Sequence, residues 1–322
     1  MIRIKSGLVI LIVMVISCTN SSSNDEGDGG EPPIATPLWE LVQFENTSIF
    51  ASYSTDNNLY SFTGFEVFKS NNDGTNPVQI NELNDRSIFF VEGSSNTLFS
   101  ISDSTILIST DETTSFDTLK ISGITIRSAL IDQNDLYITT EAGAIFSVDL
   151  ASEERDTLYQ SNSSESLRLI SLLDDDLYIN VNNSVKLFVL SDLESGFQSP
   201  GFESSSTNEF IQLEESNILL AATRFQKIQR STDGGKTWTG SGPDGIPANP
   251  ITDLYLTEEG RVYVSILGSG VFYSDDQSES WKSVTDTVLN TSVYSFTETV
   301  ENDLLANTDS GIYKALFDPK TN

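Results

Sequence analysis

A period of about forty residues runs through this 322-residue chain in two independent patterns. Together they predict an all-β fold, a seven-bladed β-propeller of four-stranded blades. The first pattern is an octapeptide, Ser231-Thr232-Asp233-Gly234-Gly235-Lys236-Thr237-Trp238, echoed from Ser70, Ser109, Ser147, Leu190 and Ser274. Successive anchors lie 39, 38, 43, 41 and 43 residues apart, and a seventh falls at Ala315, 41 further on. The second pattern is a pair of apolar runs ahead of each anchor. Leu59-Tyr60, Leu98-Phe99, Leu136-Tyr137, Leu177-Tyr178, Ile218-Leu219, Val262-Tyr263 and Leu304-Leu305 lead into the anchors. An earlier run precedes each, from Ile49-Phe50 in the first repeat to Val293-Tyr294 in the seventh. Short runs bounded by turn residues read as strands, and no amphipathic helical period competes with them.

The octapeptide has the chemistry of a tight hairpin. The Asp233 carboxylate can cap amides of its own turn, and the glycines accept positive φ. The Ser231 hydroxyl offers a second local bond, while Trp238 opens the outgoing strand with a large apolar ring. Ser274, Asp276 and Trp281 repeat these positions, and Ser109, Asp111 and Phe116 repeat them with an aromatic stand-in. Ser70, Asn72 and Gly74 carry a weaker copy; Ser147 with Asp149, and Asp192 with Phe197, carry fragments. The spacing Ser231, Asp233, Gly235, Trp238 resembles the Asp-box, or bacterial neuraminidase repeat. That resemblance implies a propeller whose boxes shape hairpins, not active sites.

Residues 1–17 form a targeting segment. Arg3 and Lys5 precede an apolar run from Leu8 to Ile16 that is too short to span a bilayer, which needs about 20 residues. It ends in Val15-Ile16-Ser17-Cys18, which resembles a bacterial lipobox with Cys18 as the lipidated residue. Cys18 is the only cysteine, so neither an internal disulfide nor a Cys-based metal cage can form. Residues 18–37 are polar, acidic and Gly-rich, the composition of a flexible tether. An acidic stretch soon after the lipid Cys resembles the surface-export signal of Bacteroidota lipoproteins. Thr19, not Asp, follows the Cys, so the retention signal of inner-membrane lipoproteins is missing.

The propeller occupies 38–317, followed by a short tail, 318–322. Its blades are expected near 47–84, 86–122, 124–161, 166–203, 207–249, 250–290 and 291–317. The last repeat stops short of its fourth strand, whereas Trp39 begins an apolar run with no box before it. Residues 38–44 are therefore expected to pair beside 312–317 and close the ring, removing two open edges. The long tail of blade 5, Gly240 to Pro250, and a polar excursion from Ser199 to Asn208 are loops where specificity can reside.

Composition excludes much chemistry. The formal charge of −30 becomes −32 once Arg3 and Lys5 are removed with the signal, a field that repels nucleic acid and favours cationic partners. There is no histidine, which removes Ser-His-Asp catalysis and imidazole metal sites. No phosphate-cradling glycine loop precedes a helix, and no cofactor or metal site is expected. Asp-boxes resemble those of sialidases, xyloglucan-active glycosidases and many propellers with no catalysis. The Phe-Arg-Ile-Pro motif of sialidases is missing, and the acidic charge departs from the basic patch of the photosystem II assembly-factor propellers. Arg127 and Arg168 each stand nine residues before the Leu-Tyr of their blades and are candidate contacts at a channel mouth. The expected function is a non-catalytic, monomeric binding or scaffold module. It would be anchored by lipid to the outer membrane and recognise a protein or glycan. The alternative is a glycoside hydrolase using opposed carboxylates on the propeller face.

Overall fold

The structure, a computed structural model, describes residues 38–83, 87–89, 98–102, 104–132, 135–161, 165–173, 176–182, 184–202, 207–213, 216–223, 227–244, 249–285, 289 and 292–317. The expected signal segment, Cys18, the tether and the tail lie outside them. Seven four-stranded antiparallel sheets, each a simple meander, form seven blades. Single 3-10 turns at Asn81–Leu83 and Leu193–Ser195 are the only helical elements among the described residues.

Second strands are largely buried, and continuously so in Leu219–Thr223, Val262–Ile266 and Leu304–Thr308. Both faces of each sheet are covered by neighbouring blades, so apolar residues need not alternate with polar ones. From blade 3 round to blade 1 the first strands of successive blades touch one another and form the inner ring. The apolar core is accordingly divided into wedges. Phe99, Ile101 and Ile106 of blade 2 meet Ala129 and Leu136 of blade 3, for example, and Ile211 and Leu220 of blade 5 meet Leu254 and Val264 of blade 6. The last seam is packed in the same way, with Leu305 and Ile312 of blade 7 against Ile49 and Leu59 of blade 1.

The ring closes as the sequence predicts. Strand Trp39–Gln43 pairs antiparallel with Gly311–Ala315, matching Trp39 to Ala315 and Leu41 to Tyr313. It supplies the outer strand of the sheet that also holds Val293–Glu298 and Leu304–Thr308. Trp39 is fully buried; its ring packs edge-on against Phe317 at 5.5 Å, and its Nε1 donates to the Val284 carbonyl at 2.8 Å. One strand from the start of the propeller thus locks its end to blade 6.

The meander gives the ring two unlike faces. Turns between third and fourth strands, where the boxes lie, share one face with the turns between first and second strands. On the other face each inner strand begins, beside the turns joining second to third strands. This second face is the mouth described below.

Candidate functional site: the channel mouth

The boxes come first, because they account for most of the residues the sequence singles out. In three blades the geometry is nearly identical. Ser231 Oγ donates to Asp233 Oδ1 and accepts the Gly235 N–H, both at 2.8 Å; Ser274 and Ser109 do the same for their own turns at 2.8–3.0 Å. The carboxylate then takes two bonds from one residue. Thr237 donates N–H to Asp233 Oδ1 at 2.9 Å and Oγ1–H to Oδ2 at 2.6 Å, and Ser280 and Ser115 serve Asp276 and Asp111 alike. Bonds to the charged form lower the Asp233 pKa to about 2, Thr237 contributing most. This hydroxyl, six residues after the serine, is a box member the sequence pattern missed.

The aromatic positions behave less uniformly. Trp238 donates Nε1 to the Pro200 and Gly235 carbonyls at 2.8 and 2.9 Å, whereas Trp281 packs on the apolar wedge without a partner for its Nε1. Phe116 packs between blades 1 and 2. The weaker copies have changed roles. Asn72 donates to the Thr55 and Asp56 carbonyls, and Asp149 caps the amides of Ala151 and Ser152. These groups are spent in turn geometry on the face away from the mouth.

At the mouth, the inner strands present charge at one level. Register places Ser128 opposite Thr139, Arg168 opposite Asn180, Glu209 opposite Ala222, Asp253 opposite Ser265 and Ser295 opposite Asn307. Arg127 and Arg168 are therefore not equivalent, although each stands nine residues before its Leu-Tyr pair. The ladder of blade 3 shifts between Ile126 and Ser128, at Arg127, while that of blade 4 shifts between Leu169 and Ser171. An extra residue in a bulge turns the side chain away from the paired row. Arg127 is exposed at the start of its strand, whereas Arg168 is half-buried, and burial holds its pKa below the usual value.

Glu209 and Asp253, on adjacent blades, lie close enough for their carboxyls to interact. Each also accepts a backbone N–H from the next inner strand: Leu254 to Glu209 Oε2 at 3.0 Å, and Phe296 to Asp253 Oδ2 at 2.7 Å. Desolvation raises both pKa values, and the charge of Asp253 adds to the rise at Glu209. Both carboxyls are therefore held toward the protonated form. Sequence reading missed this pair; its one signal is an acidic residue directly before an apolar pair, Phe210-Ile211 and Leu254-Tyr255, in each inner strand.

Across the ring, the mouth turns aromatic. Phe50 stacks on Tyr294 with centroids 4.8 Å apart and planes at 26°; Gly64 abuts the Phe50 ring, and Phe65, the next residue, is 72% exposed. The mouth thus carries cations on blades 3 and 4, a desolvated carboxyl pair on blades 5 and 6, and aromatic rings where blades 7 and 1 meet.

Known structures share this architecture. The extracellular domain of the putative hybrid two-component system BT4673 from B. thetaiotaomicron superposes with a TM-score of 0.69 at 12% identity, covering 88% of this chain and 40% of that one. YCF48 bound to D1 peptide gives 0.67 at 13% identity over 89% and 98% of the two chains. A chain of the mitotic checkpoint complex gives 0.59 at 13% identity over 96% and 100%. These likenesses show the fold. This chain spans about 40% of the length of the sensor-system chains it resembles. No family profile and no curated protein matches the sequence.

Proposed function

We propose that this is an exported lipoprotein of the Asp-box propeller type, tethered to the outer membrane through Cys18, whose propeller is a non-catalytic binding module. It meets a protein or glycan partner with the mouth face. The observation that carries this reading is the segregation of the molecule's resources. Box side chains are consumed in turns on one face, while Arg127, Phe65 and the Phe50–Tyr294 stack remain accessible on the other. Aromatic rings and arginine are the side chains that contribute most at binding surfaces. The likeness to extracellular sensor domains is in keeping with an exported domain, and YCF48 is one propeller of this shape solved with a peptide. No helix among the described residues is long and apolar enough to cross a membrane.

The geometry of the carboxyl pair speaks against hydrolysis. Glycosidase carboxyls stand about 5–10 Å apart, leaving room for sugar and water between them. Glu209 and Asp253 are desolvated, interact with each other, and are each tied to a backbone amide of the next blade, an arrangement that favours a structural role. The test is incubation of the full-length protein with sialylated glycans and plant and bacterial polysaccharides, with mass spectrometry of released sugars. The reading predicts no release from any of them. Turnover abolished by Glu209→Gln would replace it with a glycosidase.

A further inference from the structure

The seam between blades 4 and 5 holds a donor where its neighbours hold acceptors. On three blades the inner-strand residue at the level of Arg168 offers an oxygen to the next blade. Ser128 Oγ accepts the Leu169 N–H at 2.9 Å, Glu209 Oε2 accepts that of Leu254 at 3.0 Å, and Asp253 Oδ2 accepts that of Phe296 at 2.7 Å. A guanidinium has five donors and no acceptor, so Arg168 cannot make this tie. Asn180, opposite it in the ladder, crosses the seam instead, donating Nδ2 to the Thr207 carbonyl at 2.7 Å.

The exchange leaves polar atoms unserved. Arg168 Nε and Nη2 are buried with no hydrogen-bond partner, and so is Oγ1 of Thr207, a residue with no exposed surface. Asn180 touches Thr207 and faces Arg168, so these unserved groups border a single seam at the mouth. A desolvated cation with no counter-charge is among the least favourable arrangements in a protein interior. What the seam lacks is an acceptor carrying negative charge.

We propose that this seam is a binding site for a singly charged carboxylate, held by the guanidinium of Arg168 and the hydroxyl of Thr207. The planar fork of arginine matches the two oxygens of a carboxylate, and the threonine hydroxyl adds a third donor. The chain's formal charge of −30 discriminates by valence, because a dianion or polyanion is repelled more strongly than a monoanion. The site deepens the binding reading above and rests on it for the ligand's source, a carboxylate carried by the partner. The site itself can be tested without that partner.

The experiment titrates the full-length protein with carbon-13 acetate, with chloride holding the ionic strength constant, and follows line broadening of the acetate signal. Acetamide and inorganic phosphate are run in parallel. Saturable broadening is expected for acetate and none for the neutral amide. Arg168→Met should weaken acetate binding by roughly tenfold or more, because a charge-assisted bond is lost. It should melt near the parent in chloride, since a desolvated charge has been replaced by an apolar chain. Thr207→Val, a nearly isosteric change, should weaken binding less. No saturable acetate binding by the parent would overturn the proposal, as would parent-like affinity in Arg168→Met or Thr207→Val. Tighter binding of phosphate would overturn the ligand class. If acetate binds but no partner engages the mouth, the binding-module reading fails and the anion site stands.

Discussion

Arg230, one residue before the blade 5 box, donates its Nε–H to the backbone carbonyl of Gln277 in the blade 6 box at 2.8 Å. Lys69 bears the same relation to Glu112, its Nζ meeting the carbonyl at 2.7 Å across the seam between blades 1 and 2. Both acceptors stand where the blade 5 box has Gly234. Gln277 and Ser278 have φ of 59° and 68°, and Glu112 and Thr113 have 56° and 67°, in place of the glycine pair at 71° and 86°. Side chains in that region cost roughly 1 kcal/mol or more each. The two boxes that have replaced their glycines are thus the two braced by a cation from the preceding blade.

The brace predicts a compensating pair of substitutions. Arg230→Met should destabilise the domain by about 1 kcal/mol through the lost bond. Gln277→Gly should stabilise it by about 0.5–1 kcal/mol by relieving the positive φ. The double variant should unfold close to the parent in urea. A stabilised Arg230→Met protein would show that the contact is incidental.

Ring closure depends on one side chain more than any other. Trp39→Ala removes a fully buried ring and its bond to Val284, and should cost about 3–5 kcal/mol. Protease should then cut first between blades 7 and 1. An unchanged melting curve would mean that the strand 39–43 is not what seals the ring.

The carboxyl pair makes stability depend on pH in a stated direction. Asp253 titrates at about 6 in the folded protein against an ordinary 3.8, and Glu209 is raised well above its ordinary 4.5, both chiefly by desolvation. Groups raised by folding favour the native state while protonated. Their contribution is complete below the ordinary values and is lost as pH climbs through about 6 and beyond. Glu209→Gln, neutral at every pH, should therefore flatten the fall in melting temperature between about pH 5 and pH 8. A parent-like slope would place the two carboxyls in water.

The lipid reading is checked by fractionation. Cys18→Ser should move the protein from the detergent-soluble membrane fraction to the soluble one. If it still needs detergent, something other than Cys18 holds it there.

The architecture was legible because it is written locally. Apolar runs such as Leu136-Tyr137 and turn chemistry such as Asp233-Gly234-Gly235 recur at one period, and Trp39 without a box betrays the displaced strand. The mouth was less legible because it is assembled across seams. Glu209 and Asp253 are 44 residues apart, and nothing near either shows that they meet across a seam. Counting from Leu136 and Leu177 made Arg127 and Arg168 look equivalent, since a bulge shifts register without changing residue count. The box hydroxyls Thr237, Ser280 and Ser115 were hidden for another reason: Ser and Thr are common in every turn of this chain.

The central claim is that the mouth, and not the box face, meets the partner. The most direct measurement places a photo-reactive residue at position 127 or, separately, at 236 in the anchored full-length protein, and irradiates intact cells. Position 127 lies at the mouth, and 236 lies in the blade 5 box. A discrete adduct from 127 and none from 236 is the predicted result. An adduct from 236 alone would put recognition on the box face and contradict the account.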